Sequence, residues 1–406
     1  MNVRHRGGRR KLLAAGLVAA ATLLTTSCAG SDSESGSDAE SGAAGESEPI
    51  QLYASLGLSG ANQANSAAFG AGLQAAVDTI NDNGGLLGRD VELATENNES
   101  DPTKAVSLLQ EQLREDAPDW VWAGSSSSDA LAMLGVLTRE KIMAFSPGSA
   151  PQVGDPSEFP YSFSAGVTSA SIADALTQHL TDEGYETAGI LTANNAFGDA
   201  AAQGYTAAFE DAGLTVVAET YEPDAVEMKG PLARLQEGNP DVVVFNDFIH
   251  PTYVLKSRTE LGMGDVPFVG DLSASLSDLT ATLTEEDMEG VTVATYEVQT
   301  TAADGQGVQN LLDSLKANDV TVSGGLQLYS MPYDSVLAWA NAVEAVGSLD
   351  ADKVKAALEG NEGDTYTLAA SDDYGWTDKV HQAGGIPFVM IPVSPMNADG
   401  QFETTP

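Results

Sequence analysis

The chain reads as an α/β protein: two doubly wound parallel-sheet lobes joined by a three-crossing hinge, with a ligand cleft between them. Three observations predict this. Short apolar runs alternate with segments of helical apolar spacing, the pattern of βαβ units and of a parallel sheet covered on both faces. The alternation stops near residue 160 and restarts with a second set of similar size. Finally, 406 residues, 42% of them apolar, exceed the roughly 100–200 residues of one domain and suffice for two cores.

The first set opens with a strand at Ile50–Leu56. Phe69, Leu73, Val77 and Ile80 then recur at helical spacing, and Gly84-Gly85 ends that helix. Residues 91–95 read as a strand, and Asp101-Pro102 opens a helix running to Arg114, with proline in its first turn. A strand at 119–123, a helix at 129–139 and a strand at 142–146 complete the set. In the second set, Ile172, Leu176 and Leu180 mark a helix, followed by a strand at 189–192 and a helix at 198–212. Strands at 215–220, 241–245 and 267–269 alternate with helices at 227–236 and 251–261. Residues 333–346 and 351–358 look helical, and 387–393 looks like a strand. Crossings between the lobes are expected near 162–165, 293–296 and 373–376. The expected division is 49–163 for the first lobe and 164–294 for the second. Residues 295–374 return to the first lobe, and 375–406 return to the second and form the tail.

The amino-terminal stretch has a different character. Arg4, Arg6, Arg9, Arg10 and Lys11 precede an apolar run at 12–24, and Thr25, Thr26 and Ser27 lead into Cys28, the single cysteine. This is the layout of a secretory signal over 1–27, and the run is short for a bilayer span. A cysteine directly after such a run resembles a bacterial lipobox, which implies lipidation of Cys28 and anchoring to the cell membrane from outside the cytoplasm. Arg9 to Leu13 also faintly resembles a twin-arginine signal. Residues 29–48 are almost wholly Ser, Gly, Ala, Asp and Glu, a composition that cannot bury enough apolar surface to order itself, so 28–48 is expected to be a tether.

Charge and cysteine usage exclude several classes. No acid precedes residue 28, so the remainder carries 13 Lys+Arg against 59 Asp+Glu. Such a body repels nucleic acid, whose binding needs basic clusters. One cysteine rules out an internal disulfide, and the four histidines have no metal-ligand spacing. Gly70-Ala71-Gly72 lies inside a helix and not at a strand-to-helix turn, so it is no dinucleotide fingerprint. No phosphate-binding loop or nucleophile elbow appears. No cofactor is implied and an enzyme is not expected.

Ligands of open α/β sheets bind beyond the carboxyl ends of the strands. There the first lobe offers Gly124-Ser125-Ser126-Ser127-Ser128-Asp129, four hydroxyls at a helix N-terminus suited to an anion, and Pro147-Gly148-Ser149-Ala150-Pro151. The second lobe offers loops at 194–199, 246–250 and 271–275, with the carboxylates Asp199, Asp247 and Asp271. Neutral donors facing carboxylates would suit a zwitterion.

Gly57-Leu58-Ser59-Gly60, then Ala75 to Asn81, then Gly84-Gly85-Leu86-Leu87-Gly88-Arg89 resemble the opening of type I periplasmic binding proteins. The nearest branch is the leucine/isoleucine/valine-binding proteins of ABC transporters. Ser100 to Ala105, Gly124 to Ser128, Ser146 to Ser149, Ala196 to Asp199 and Gly290 to Val293 follow in that family's order. The resemblance, covering about 49–395, implies roles for particular residues. Ser126, with Gly124 and Ser125 alongside, would bond a ligand carboxylate, and Gly148 and Ser149 would hold it together with part of the amino group. Phe197 falls where the family often has a tyrosine closing the pocket, and the stretch with Asp247 and His250 forms another wall. Asp271, one position before the strict match at Leu272, would meet a ligand ammonium. Tyr329 would stand in for an aromatic residue over the ligand. The implied function is capture of a small polar solute, a branched-chain or related amino acid, by lobe closure. The implied partner is an ABC permease, and a monomer is expected. Alternatives on the same fold are a ligand-sensing lipoprotein and a binder of amides, urea or aromatic acids. A hydrolase would need a nucleophile and base that no readable pairing supplies.

Overall fold

The structure is a computed structural model and describes residues 48–223, 225–247 and 251–403. The expected signal segment, Cys28, nearly all of the tether and His250 lie outside the described residues.

Along the first set run β1 (Ile50–Leu56), α1 (Gln63–Asp82), β2 (Val91–Asn97), α2 (Pro102–Glu115), β3 (Trp120–Ala123), α3 (Ser127–Glu140), β4 (Met143–Ser146) and β5 (Ser162–Val167). The second set comprises α4 (Ser169–Asp182), β6 (Thr187–Ala193), α5 (Ala196–Asp211), β7 (Thr215–Tyr221), α6 (Lys229–Glu237), β8 (Val242–Asn246), α7 (Pro251–Glu260), β9 (Phe268–Gly270), the single turn α8 (Glu285–Met288) and β10 (Val291–Tyr296). The chain then returns through α9 (Gln306–Ala317), α10 (Gln327–Val346), α11 (Ala351–Glu359), β11 (Gln382–Ala383) and β12 (Phe388–Pro392).

These strands form two six-stranded sheets, ordered β11-β5-β4-β3-β1-β2 and β12-β10-β9-β8-β6-β7. Every pairing is parallel except that of β12 with β10. Fully buried strands such as WVWA of β3 and VVVFN of β8 explain the continuous apolar runs, since helices cover both faces. Asp101 caps α2 by accepting from Thr103 N–H at 2.8 Å, with Pro102 at the first helical position.

In the first lobe, α1, α9 and α10 cover one sheet face and α2 and α3 the other. A ladder of rings fills the first of these cores, with Phe69–Trp122 at 5.6 Å, Trp120–Phe145 at 5.5 Å and Phe145–Phe163 at 5.4 Å between centroids. The closest approach of α1 to α10 falls at Gly72, where an added Cβ would lie 2.2 Å from the Tyr329 carbonyl oxygen. In the second lobe, α4 and α5 cover one face and α6 and α7 the other.

The passages between sheets differ in place from the expected ones. Residues 162–165 lie within β5 and 293–296 within β10, so the first two passages leave just after each strand, past Val167 and past Tyr296. The stretch 373–376 is packed in the first lobe: Trp376 stacks on Tyr374 at 4.8 Å and its Nε1–H donates to Ser164 O at 3.0 Å. With β11 paired to β5, the third passage falls between Ala383 and Phe388. α10 starts before Pro332, six residues ahead of its expected start.

Candidate functional site

The strand orders create the site. In the first sheet the chain goes from β1 outward to β2 on one side and to β3 on the other, so the loops after β1 and β3 part and leave a crevice. The second sheet does the same at β6, between β7 and β8.

In the first lobe, serine hydroxyls lace the loops that border the crevice. Ser125 Oγ accepts from Gly57 N–H at 3.3 Å and from Ser66 Oγ at 2.7 Å, which ties the loops after β1 and β3 to α1. Ser127 Oγ accepts from Ala150 N–H at 3.2 Å, tying in the loop after β4. Ser126 Oγ caps α3 by accepting from Asp129 N–H at 3.2 Å, and its hydroxyl also bonds the Asp129 carboxylate. Asp129, 1% exposed, accepts from Ser125 N–H at 3.1 Å; burial pushes its carboxyl up, opposed by that N–H and by Ser126. Gly124 takes φ +84°, and a Cβ there would strike Asp129 Cβ at 2.2 Å. Gly148 O accepts from Ser164 Oγ at 2.6 Å and from Gln382 Nε2 at 3.3 Å, and the half-buried Ser149 is beside it. Beside the capped Ser126, the crevice has Ser149 and the first-turn N–H groups of Ser127 and Ser128 in α3, a set able to hold an anion.

In the second lobe, polar residues line up across the strand ends. Thr192 pairs with Asn246 in the β6–β8 register, and Asp271 follows β9 directly. Asp271 is 1% exposed. Its carboxylate accepts from Tyr205 Oη at 2.6 Å, from Asn246 Nδ2 at 2.5 Å, from Ser273 N–H at 3.0 Å and from the Ser273 hydroxyl. Burial pushes the Asp271 carboxyl up, opposed by the Ser273, Tyr205 and Asn246 bonds. Burial, reinforced by Asp271, raises the Tyr205 phenol well above its usual range. Asp247 is buried beside Tyr221, whose phenol is raised by burial and then by Asp247. Phe197, in the first turn of α5, is 37% exposed, as is Leu58 on the loop after β1.

The structure thus gathers the sequence-derived residues into two groups. Gly124, Ser125, Ser126, Gly148 and Ser149 surround the N-terminus of α3, and Phe197, Asp247 and Asp271 stand at the ends of β6, β8 and β9. Tyr329 is 3% exposed, packs where α10 crosses α1, and takes Ser323 N–H on its hydroxyl at 2.9 Å. Ser66, Leu58 and Thr192 are not among the site residues the sequence predicts. Ser66 was detectable as a polar residue on the buried face of α1. Among the described residues no cluster of His, Cys, Asp and Glu could hold a metal ion, and no helix is long and apolar enough to cross a membrane.

Comparison with known proteins agrees with this architecture. A family model described as "Periplasmic binding protein" matches residues 49–388. Sequence comparison with curated proteins gives no match. Among solved structures, an ABC transporter substrate-binding protein from Sphaerobacter thermophilus superposes with a TM-score of 0.73 at 18% identity, covering 88% of this chain and 100% of that one. A branched-chain amino acid transporter substrate-binding protein from Streptococcus pneumoniae, solved with isoleucine, gives 0.67 at 20% identity, covering 88% and 98%. A leucine-binding protein from Thermotoga maritima gives 0.65 at 17%, covering 75% and 86%. At these identities the superpositions speak for the fold, while the family match spans most of the sequence. The chain belongs to the periplasmic binding protein family.

Proposed function

We propose that the protein captures a small amino acid with an apolar side chain between its lobes, outside the cytoplasm, and hands it to an ABC permease. The observation that carries this is the pairing of two unlike crevice walls. The first lobe presents hydroxyl and N–H donors at a helix N-terminus, and the second presents buried carboxylates with an exposed phenylalanine at the rim. Donors on one wall suit a ligand carboxylate, and the negative field of Asp247 and Asp271 suits an ammonium. Two fold relatives, a leucine-binding protein and a transporter protein solved with isoleucine, support the same class.

In this reading Ser126 and Ser149, with Gly124 and Gly148 giving close backbone approach, hold the carboxylate. Ser125 keeps the loop in place, and Phe197 closes over the ligand from the second lobe. Contacts from both walls exist together only when the lobes are closed, so binding drives closure. Lipidation of Cys28 would keep the body at the membrane beside the permease.

A second reading, a neutral amide ligand, is favoured by one feature. Four donors already occupy the acceptor positions of the Asp271 carboxylate, so a ligand ammonium would feel its field without touching it.

Ser126→Ala is the test of the carboxylate site. Loss of a donor to a buried charge should weaken amino-acid binding by about 1–3 kcal/mol, measured by calorimetric titration with leucine. Unchanged affinity would remove Ser126 from the site. Binding of short amides in preference to amino acids would favour the second reading.

A further inference from the structure

Two consecutive residues with β-carbons, Glu99 at φ +57° and Ser100 at φ +60°, adopt the left-handed conformation. They are the only such neighbouring pair among the described residues. L-residues avoid this region, and it persists where the surroundings over-determine it, often at functional sites. The surroundings here are specific. Asn97 Oδ1 accepts from Glu99 N–H at 2.9 Å, and Asn98 Oδ1 accepts from Ser100 N–H at 2.8 Å. Asn98 is fully buried, held by its own N–H to Leu56 O at 2.8 Å and by its Nδ2 to Ser55 Oγ at 3.0 Å.

The bend delivers one group. Ser100 Oγ donates to Ser59 O at 3.0 Å and accepts from Asn62 N–H at 3.2 Å, at the start of α1, where Asn62 supplies no side-chain cap of its own. Asn97 Nδ2 adds a bond to Ser59 Oγ at 3.1 Å. The loop between β1 and α1, which carries Leu58, is therefore suspended between Ser100 on the β2 side and Ser125 on the β3 side.

We infer that Ser100 is a positioning residue of the binding crevice, whose strained backbone is retained so that its hydroxyl can set the loop 57–62 at the crevice rim. This rests on the proposed ligand position. Ser100 touches no ligand in this account and acts through the loop.

Two variants separate the role from ordinary packing. Ser100→Gly removes the hydroxyl and at the same time relieves the left-handed strain. It should melt at or above the wild-type temperature yet bind L-leucine about tenfold more weakly, and amides of residues 58–65 should exchange about tenfold faster. Ser100→Ala keeps the strain and loses the hydroxyl, so it should show the same weakening with a lower melting temperature. Wild-type affinity together with wild-type exchange in Ser100→Gly would overturn the inference. If the wild-type protein does not bind leucine, the proposed function fails by itself, and amide exchange alone decides: acceleration at 58–65 upholds the role of Ser100 and an unchanged pattern refutes it.

Discussion

Asp334→Ala is expected to lower the unfolding free energy by about 3–5 kcal/mol, the range for a broken buried polar network. Asp334 lies in α10, is fully buried, and accepts from Ala369 N–H at 2.6 Å, Ala370 N–H at 2.7 Å and Tyr374 Oη at 2.9 Å. Alanine would leave the buried Tyr374 hydroxyl and two half-buried N–H groups without their acceptor. The loss should reach function as well, because the acid pins the 369–376 segment that leads into β11 and the third passage.

The deficit should depend on pH. Burial pushes the Asp334 carboxyl up to about 7 from 3.8, against the two N–H groups and Tyr374, which favour the charged form. A raised native value means that the folded state holds the proton more tightly than the unfolded chain does. The resulting stability is fully present below about pH 3.8 and is lost as pH rises through about 7. Roughly three units at 1.36 kcal/mol each amount to about 4 kcal/mol across that window. Urea unfolding at pH 5 and pH 8 should therefore show a larger difference between wild type and Asp334→Ala at pH 5. A difference below about 1 kcal/mol at both values would contradict this account.

Gly124→Ala carries the second large effect, and here the damage falls on the crevice. Left-handed backbone costs a residue with a β-carbon roughly 1–2 kcal/mol. The new methyl would also lie 2.2 Å from Asp129 Cβ, and Asp129 cannot yield without releasing Ser125 N–H and moving the first turn of α3. Overpacking of this kind costs about 1–3 kcal/mol more, so a total of about 2–5 kcal/mol is expected. The serine loop must shift, and leucine affinity should fall at least about tenfold, in line with a lost buried donor. Gly135→Ala is the control: it sits inside α3 with only the Arg139 guanidinium near its Cβ position, at 3.9 Å, and should be neutral or stabilising. Equal behaviour of the two variants would show that Gly124 has no special place.

How far the sequence revealed this molecule depends on where each signal resides. β3 and β8 are legible because β3 is apolar throughout and β8 is apolar up to its last residue, Asn246. β5, SFSAGV, is not: it is wholly buried yet rich in small and polar residues, with Ser162 Oγ satisfied by Val153 O and Ser164 Oγ by Gly148 O. β11 has two residues and no pattern to read. α9 carries a short helical pattern, Val308, Leu311 and Leu315, outside the helices the sequence predicts.

The loops of the candidate site were legible from their place after strands. What each side chain does there was less so. The use of Ser125 and Ser127 as ties, and of Ser126 as a cap, depends on partners up to 68 residues away. The saturation of Asp271 depends on Tyr205 and Asn246, which no local spacing connects to it. The Glu99–Ser100 bend is a backbone property of residues that are ordinary in sequence.

The central claim is that a small amino acid is held between the two lobes. Calorimetric titration of the purified protein with L-isoleucine tests it most directly. Saturable one-to-one binding with a negative heat-capacity change is expected, as apolar surface is buried on closure. Absence of saturable heat with isoleucine, and equally with leucine and valine, would contradict it.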